Sequence, residues 1–267
     1  MQLVFLGSGG GRIILDKQIL ATGGFRINSA DLKMHVDPGP GAFVKSLLNK
    51  QEPGELNALF VSHAHIDHCN DANMLIEAMN FGNYRGKKGV LLGSESVVNG
   101  FEKFEKQIDE YFKGMLHECK SMRAGECHEF SENAHLRAVK TDHEDPSAIG
   151  FVLSLDGINL GYTSDTDYFD GIAAQFEGCD FIIFNCLRPN DDGLRFHFTA
   201  ADAVKTVNEM VRKPKAIFIT HMGMKFLQAG ADAQRRLIEE KTGVPTIIAK
   251  EGLSIDLSTY SGQQKLL

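Results

Sequence analysis

Residues 60–68 read Phe60-Val61-Ser62-His63-Ala64-His65-Ile66-Asp67-His68. The apolar run Ala58–Ser62 that leads into them is long enough for a buried strand and too short for a helix. Three histidines and an aspartate then fall within six residues. In a loop at a strand end, this spacing can turn alternate side chains into one cleft. Neutral imidazoles and a carboxylate are donors suited to Zn²⁺ and related first-row metals, at about 2.0–2.2 Å for zinc. A solvated histidine-rich tract does not explain why the cluster sits against a core strand. Four donors so crowded exceed what one metal with an open position takes, so two metal ions are expected, with more ligands from other strand ends.

Three further residues stand where such ligands belong. His143 lies in Lys140-Thr141-Asp142-His143-Glu144, just before a strand expected over Ile149–Leu155. Asp165 follows a strand expected over Ile158–Tyr162, and His221 follows one expected over Ala216–Thr220. Alone, each reads as a polar loop residue or a turn cap. Together they obey one rule, that layered α/β folds build their sites beside strand ends.

The rest of the chain supports an α/β architecture. Further strands are expected over Met1–Leu6, Leu32–Val36, Phe181–Asn185 and Thr246–Ala249, and Asp156-Gly157 is a hairpin turn between Ile149–Leu155 and Ile158–Tyr162. Val97, Phe101, Phe104, Ile108, Tyr111 and Met115 form a helical stripe, so one long helix is expected over Ser94–Met115, covering the cleft or forming a homodimer contact. Thr199-Ala200-Ala201-Asp202 opens another helix with a capping box, and a third is expected over Ala231–Lys241, stopping at Gly243. Gly7-Ser8-Gly9-Gly10-Gly11 shows no helix pattern after it and reads as a close backbone turn near the site, not as a phosphate cradle. No repeat or linker divides the 267 residues, so a single domain over 1–267 is expected.

Composition narrows the function. Hydrophobic residues at 43% and charged residues at 24% exclude disordered and fibrous classes. No apolar run approaches the roughly 20 residues of a membrane helix, and the N-terminus has no basic segment of a signal peptide. Cys69, Cys119, Cys127, Cys179 and Cys186 are an odd, scattered set without a disulfide framework, which points to a reducing compartment, the cytoplasm. His117, Cys119, Cys127 and His128 lack the spacing of a zinc knuckle. The net charge of -7 and the lack of a basic stripe argue against extended nucleic acid as a partner, though not against a small anionic ligand.

The His-x-His-x-Asp-His run after a strand resembles the signature of the metallo-β-lactamase-fold hydrolases. Phe5-Leu6-Gly7-Ser8-Gly9, Val36-Asp37-Pro38-Gly39-Pro40-Gly41, Tyr162-Thr163-Ser164-Asp165-Thr166, Ile219-Thr220-His221 and Ala249-Lys250-Glu251-Gly252-Leu253 are similar to that family's successive motifs, in the same order. The resemblance implies a four-layer αββα sandwich with a dinuclear site between the edges of its sheets. It implies that His63, His65 and His143 hold the first metal, that Asp67, His68 and His221 hold the second, and that Asp165 bridges them. Asp37 would orient a ligand imidazole from behind. Zinc is the expected metal; Mn²⁺ and Fe²⁺ accept the same donors.

Two such metals about 3.5–4 Å apart would lower the pKa of a bridging water and polarise an ester, so no protein nucleophile is needed. No Gly-x-Ser-x-Gly elbow, Gly-x-x-x-x-Gly-Lys-Ser/Thr loop or dinucleotide fingerprint is present. In Phe196-His197-Phe198-Thr199, a histidine precedes the capped helix. There it could bind a non-bridging phosphoryl oxygen or protonate a leaving oxygen. Equally, Phe196 and Phe198 could be core anchors that leave His197 pointing outward. His-x-Thr-Ala ahead of a helix is similar to the phosphodiesterase branch of the family, which includes the tRNA 3′-processing endonucleases and the phosphonate-pathway cyclic phosphodiesterases. The endonucleases carry a long arm, in one major type between the positions of His143 and Asp165; here only the 21 residues 144–164 intervene. The pattern looks like the small-substrate enzymes, although those often carry a cysteine-based zinc site near the N-terminus and this chain has no cysteine before Cys69.

The expected function is therefore a dinuclear metal-dependent hydrolase in which hydroxide attacks a small cyclic or nucleotide-like phosphodiester, with Asp67 and His197 in the reaction. A lactonase or glyoxalase-type thioesterase would use the same site, and His197-x-Thr199 speaks against it. A mononuclear iron oxygenase or an inert metal binder has no use for seven ligands.

Overall fold

The computed structural model describes residues 1–260 except 83 and 85. Its first sheet has seven strands, in the spatial order Ser254–Asp256 (β15), Gln2–Gly7 (β1), Thr22–Asn28 (β2), Lys33–Val36 (β3), Ala58–Val61 (β4), Val90–Gly93 (β5) and Glu118–Ser121 (β6). The second runs Thr246–Ile248 (β14), Ala216–Thr220 (β13), Phe181–Arg188 (β11), Ile158–Tyr162 (β10), Ile149–Leu155 (β9), Ala134–Lys140 (β8) and Cys127–Ser131 (β7), with the short Phe198–Thr199 (β12) beside β11. The helices are Arg12–Lys17 (α1), Ala42–Leu48 (α2), Ile66–Cys69 (α3), Ala72–Asn80 (α4), Glu95–Val98 (α5), Glu110–Lys113 (α6), Ile172–Gln175 (α7), Ala200–Glu209 (α8), Met224–Gln228 (α9) and Ala231–Thr242 (α10).

Side chains alternate across a strand, and here both faces are apolar. In β4, Ala58 and Phe60 enter a central core shared with Phe151, Leu153 and Phe218 of the other sheet, while Leu59 and Val61 face Leu75, Ile76 and Met79 of α4. In β11, Phe181 and Ile183 join the same central core, and Ile182 and Phe184 pack on Ala203 and Val207 of α8 and Ile238 of α10. Three apolar layers thus separate four layers of secondary structure, the αββα order expected from the sequence. Burying each such Phe or Ile is worth about 1.5–3 kcal/mol, so the sandwich is held mainly by these alternating runs. Among the described residues, no helix is long and apolar enough to cross a membrane.

Two sequence expectations fail locally. Residues 94–115 are not one helix: α5 ends at Val98 and α6 begins at Glu110. Gly100 takes φ 83° and Glu102 φ 52°, a left-handed backbone that ends a right-handed helix, and Phe101 and Phe104 pair across a tight turn. Val97, Ile108 and Met115 are buried, but Tyr111 is 68% exposed, so the stripe is not one face. The second failure is α1, a six-residue helix directly after the glycine-rich turn. Its apolar Ile13-Ile14-Leu15 run has no helical period, which hid it.

Candidate metal centre

The turns that leave the strands meet at one end of the sandwich. β4 delivers His63 and His65, and α3 carries Asp67 and His68 one turn further. Asp37 follows β3, His143 follows β8, Asp165 follows β10 and His221 follows β13. His63, His65 and His143 bring one donor atom each within 4.8 Å of the others; so do Asp67, His68 and His221, then His63, His68 and Asp165, and then His143, Asp165 and His197. The structure therefore gathers all seven expected ligands and His197 into one cluster. It does not gather His117, Cys119, Cys127 and His128 into a metal-binding group among the described residues.

The backbone is strained around this cluster. Asp37 (φ 48°), Ser164 (φ 57°), Phe196 (φ 72°) and His221 (φ 57°) all lie in the left-handed region, which non-glycine residues seldom occupy. Such strain persists only where surrounding contacts fix it. Those contacts are visible: the Phe196 N–H donates to Asp167 (3.0 Å), and Asp37 accepts four bonds, from Ser62 N–H and Oγ (2.7 Å each), Tyr162 Oη (2.6 Å) and His68 Nδ1 (2.8 Å).

The donor set fits divalent metals. His63 Nε2 and His143 Nε2 each stand 3.1 Å from His65 Nδ1, and His68 Nε2 stands 3.1 Å from His221 Nε2. Wherever two such nitrogens both present lone pairs they repel, and a cation among them, proton or metal, removes the conflict. Two nitrogens bound to one tetrahedral zinc lie about 3.4 Å apart, close to the separations seen. The outward nitrogens are fixed: His63 Nδ1 donates to Ser62 Oγ (3.0 Å), His68 Nδ1 to Asp37, and His143 Nδ1 to the Phe196 carbonyl (3.0 Å). These bonds select the tautomer that presents Nε2 to the centre. His221 is held differently. Its Nδ1 is buried without a hydrogen-bond partner among the described residues, and its ring lies against the Gly10 backbone, where a Cβ would come within 2.3 Å of three ring atoms.

Electrostatics agree with this. Burial, followed by the neighbouring imidazoles, pushes His63 well below the ordinary histidine range, and burial brings His143 down to about 4. Both stay neutral, with lone pairs available to a metal. Burial also opposes charge on His68, but Asp165, Asp67 and Asp37 outweigh it and hold its pKa well above the ordinary value. Asp165 resists the upward pull of burial because His221 and His68 stabilise its carboxylate. The carboxylates thus create a field that a cation, proton or metal, must fill.

His197 does not point away. Its Nδ1 lies 3.4 Å from Asp165 Oδ2, and it lines an open cleft of about 280 Å³ together with His65, Asp67, Asp165 and Arg12. The capping box behind it is formed as expected, with Thr199 Oγ1 accepting from the Asp202 N–H and the Asp202 carboxylate accepting from the Thr199 N–H. Gly7–Gly11 is also a close turn at the site, and the Gly11 N–H donates to Asp67 Oδ2 (3.2 Å).

Asp37 stands behind His68 as the resemblance implies, but sequence reading missed the other residues that hold the candidate ligands. Asn185 Nδ2 donates to Asp165 Oδ1 (2.7 Å) and to Tyr162 Oη (3.1 Å), which links Asp165 to Asp37 through the buried sheet. An amide ending the apolar run Phe181–Phe184 was a usable signal. Asp145 accepts from Ala64 N–H (3.1 Å), Ser147 N–H (2.9 Å) and Ser96 Oγ, tying three loops together. Asp37→Ala is expected to weaken metal affinity by about 10–100-fold, the usual effect of losing a carboxylate behind a ligand histidine. Competitive chelator titration measures this; wild-type affinity in the variant would remove Asp37 from that role.

Residues 33–222 match the family model described as the beta-lactamase superfamily domain. An uncharacterized protein of Methanocaldococcus jannaschii is 38% identical over 257 residues, covering 96% of this chain and 95% of that protein. The crystal structure of the metallo-beta-lactamase fold protein YhfI from Bacillus subtilis superposes with a TM-score of 0.76 at 19% identity, over 95% of this chain and 98% of that one. A crystal structure described as a new diphosphatase from the PhnP family gives 0.66 at 18% identity, over 96% and 97%. With the donor cluster at the ends of its strands and this match over most of its length, the chain belongs to the β-lactamase superfamily of metal-dependent, metallo-β-lactamase-fold hydrolases.

Proposed function

We propose that this hydrolase is a phosphodiesterase working with two divalent metal ions, most simply Zn²⁺, on a small phosphodiester. His63, His65 and His143 would hold one ion and Asp67, His68 and His221 the other, with Asp165 between them. When bound, the metals supply an activated water and a positive centre for a phosphoryl oxygen.

The observation that carries the phosphodiester reading is His197 at the open rim of the cleft, beside Asp165 and on the same side as Arg12. A phosphodiester brings an anionic phosphoryl group whose charge redistributes to the leaving oxygen as the bond breaks, so donors beyond the metal ligands are useful. A neutral lactone or thioester makes less demand of this kind. In this reading His197 holds a proton at the leaving oxygen, and Asp165, 3.4 Å from its Nδ1, orients the ring. The buried Asn185 and Tyr162 keep Asp165 and Asp37 in place while the substrate binds. The likeness to a diphosphatase fold is compatible with phosphorus chemistry but lies at low identity.

The test is turnover by protein of known metal content against bis(4-nitrophenyl) phosphate, a 2′,3′-cyclic nucleotide, a lactone and a glutathione thioester. Turnover confined to the phosphodiesters is the expected result. Turnover of only the carboxylic esters would transfer the site to the lactonase or thioesterase reading.

A further inference from the structure

Beside the metal-centre cleft opens a larger one of about 530 Å³, which shares Gly11, Arg12 and Glu144 with it. Its walls are α1, the segment that follows β11 and the start of α9. Ile13 and Leu194, 58% and 42% exposed, line this cleft together with Leu187 and Met224. Large apolar side chains facing an open cleft beside a reactive centre are a binding surface by composition.

The cleft is also positive in a chain whose net charge is -7. Arg12, Arg188, Arg195 and Lys225 line it against one carboxylate, Glu144, which already pairs with Lys103 at 2.7 Å. Arg188 and Lys225 share Asp192, at 3.3 and 2.6 Å. Arg12 and Arg195 have no carboxylate partner among the described residues; the Arg195 guanidinium rests on the Phe196 ring, 4.5 Å from its centroid. Phe196 is also the residue whose carbonyl fixes His143, so this wall is continuous with the metal centre. Two uncommitted guanidiniums beside an apolar floor match an anion carried on an apolar body.

We propose that this cleft binds the second ester substituent of the phosphodiester, and that the substituent is an apolar group ending in a further anion held by Arg12 and Arg195. The inference rests on the phosphodiesterase reading. It adds the substrate class: an amphiphilic, doubly anionic diester, in preference to a simple dialkyl or cyclic one.

Three diesters with the same leaving group test it on metal-loaded protein: methyl, phenyl and 4-carboxyphenyl 4-nitrophenyl phosphate. We expect kcat/KM to rise from methyl to phenyl, and to rise again by about tenfold for 4-carboxyphenyl, the effect of one charge-assisted hydrogen bond. Arg12→Glu and Arg195→Glu, both at exposed positions, are each expected to remove that last gain and to favour a 4-(trimethylammonio)phenyl ester instead. A purely structural role for either arginine would not reverse the preference. Equal kcat/KM for phenyl and 4-carboxyphenyl esters, or a preference that survives in both variants, would overturn the cleft assignment and leave the phosphodiesterase reading standing. Cleavage of a short RNA in preference to the carboxyphenyl ester, lost in the same variants, would give the cleft to nucleic acid and overturn the proposal. No turnover of any diester would overturn the phosphodiesterase reading, and the cleft assignment would fall with it.

Discussion

Asp165→Ala is expected to lower phosphodiester turnover by roughly two to three and a half powers of ten and to reduce the metal bound per chain. Asp165 is 2% exposed and reaches His68 Nε2 at 3.5 Å, His221 Nε2 at 3.4 Å and His197 Nδ1 at 3.4 Å. Its carboxylate falls within both the His63–His68 and the His143–His197 donor groups. Removing a buried carboxylate that compensates surrounding positive charge costs about 3–5 kcal/mol; where that loss falls on metal binding, it lowers the metal-loaded, active fraction about tenfold for each 1.4 kcal/mol. Asp165→Asn keeps the size without the charge. It should show a similar loss of metal if charge is what matters. Metal analysis and turnover on the same samples check both variants, and wild-type metal content in each would contradict the bridging position.

His197→Ala is expected to lower turnover by about 10²–10⁴-fold with metal content unchanged, the range for a positioned general acid. His197 borders the open cleft and stands outside both the His63–His65–His143 and the Asp67–His68–His221 donor groups. Its loss should fall mainly on kcat, and should be smaller for a diester with a good leaving group such as 4-nitrophenolate than for one leaving as an alkoxide. Equal loss for both leaving groups would give His197 a binding role in place of a proton-holding one. Unchanged turnover would remove it from the reaction.

Much of this site could be read in the sequence because its donors are packed into one segment and the remainder sit one or a few residues from apolar runs. The strands Ile149–Leu155, Ile158–Tyr162 and Ala216–Thr220 were legible to the residue, since buried apolar runs and an Asp-Gly turn define them. β2 was not singled out, because Gly23 and Gly24 dilute its apolar pattern. The 94–115 stripe misled because a chain that doubles back at Gly100 can bury Val97 and Ile108 as well as a helix can; the Gln107 and Ile108 N–H groups both reach the Val97 carbonyl. Apart from the bond from Asp37 to His68, the bonds behind the candidate ligands were illegible for another reason. Tyr162 meets Asp37 across 125 residues of chain, and Phe196 contributes a carbonyl, which carries no side-chain signal. The candidate ligands belong to local motifs, whereas supports such as the Tyr162–Asp37 bond form only when the two sheets stack.

Whether two metal ions drive phosphodiester cleavage is read from turnover of bis(4-nitrophenyl) phosphate as Zn²⁺ or Mn²⁺ is returned to chelator-treated protein, one equivalent at a time. Activity should be absent without metal and should reach its plateau only as the second equivalent binds, with thermal stability rising in parallel because the metals bind only the folded chain. Full activity at one equivalent, or activity that persists in the chelated protein, would contradict a dinuclear phosphodiesterase.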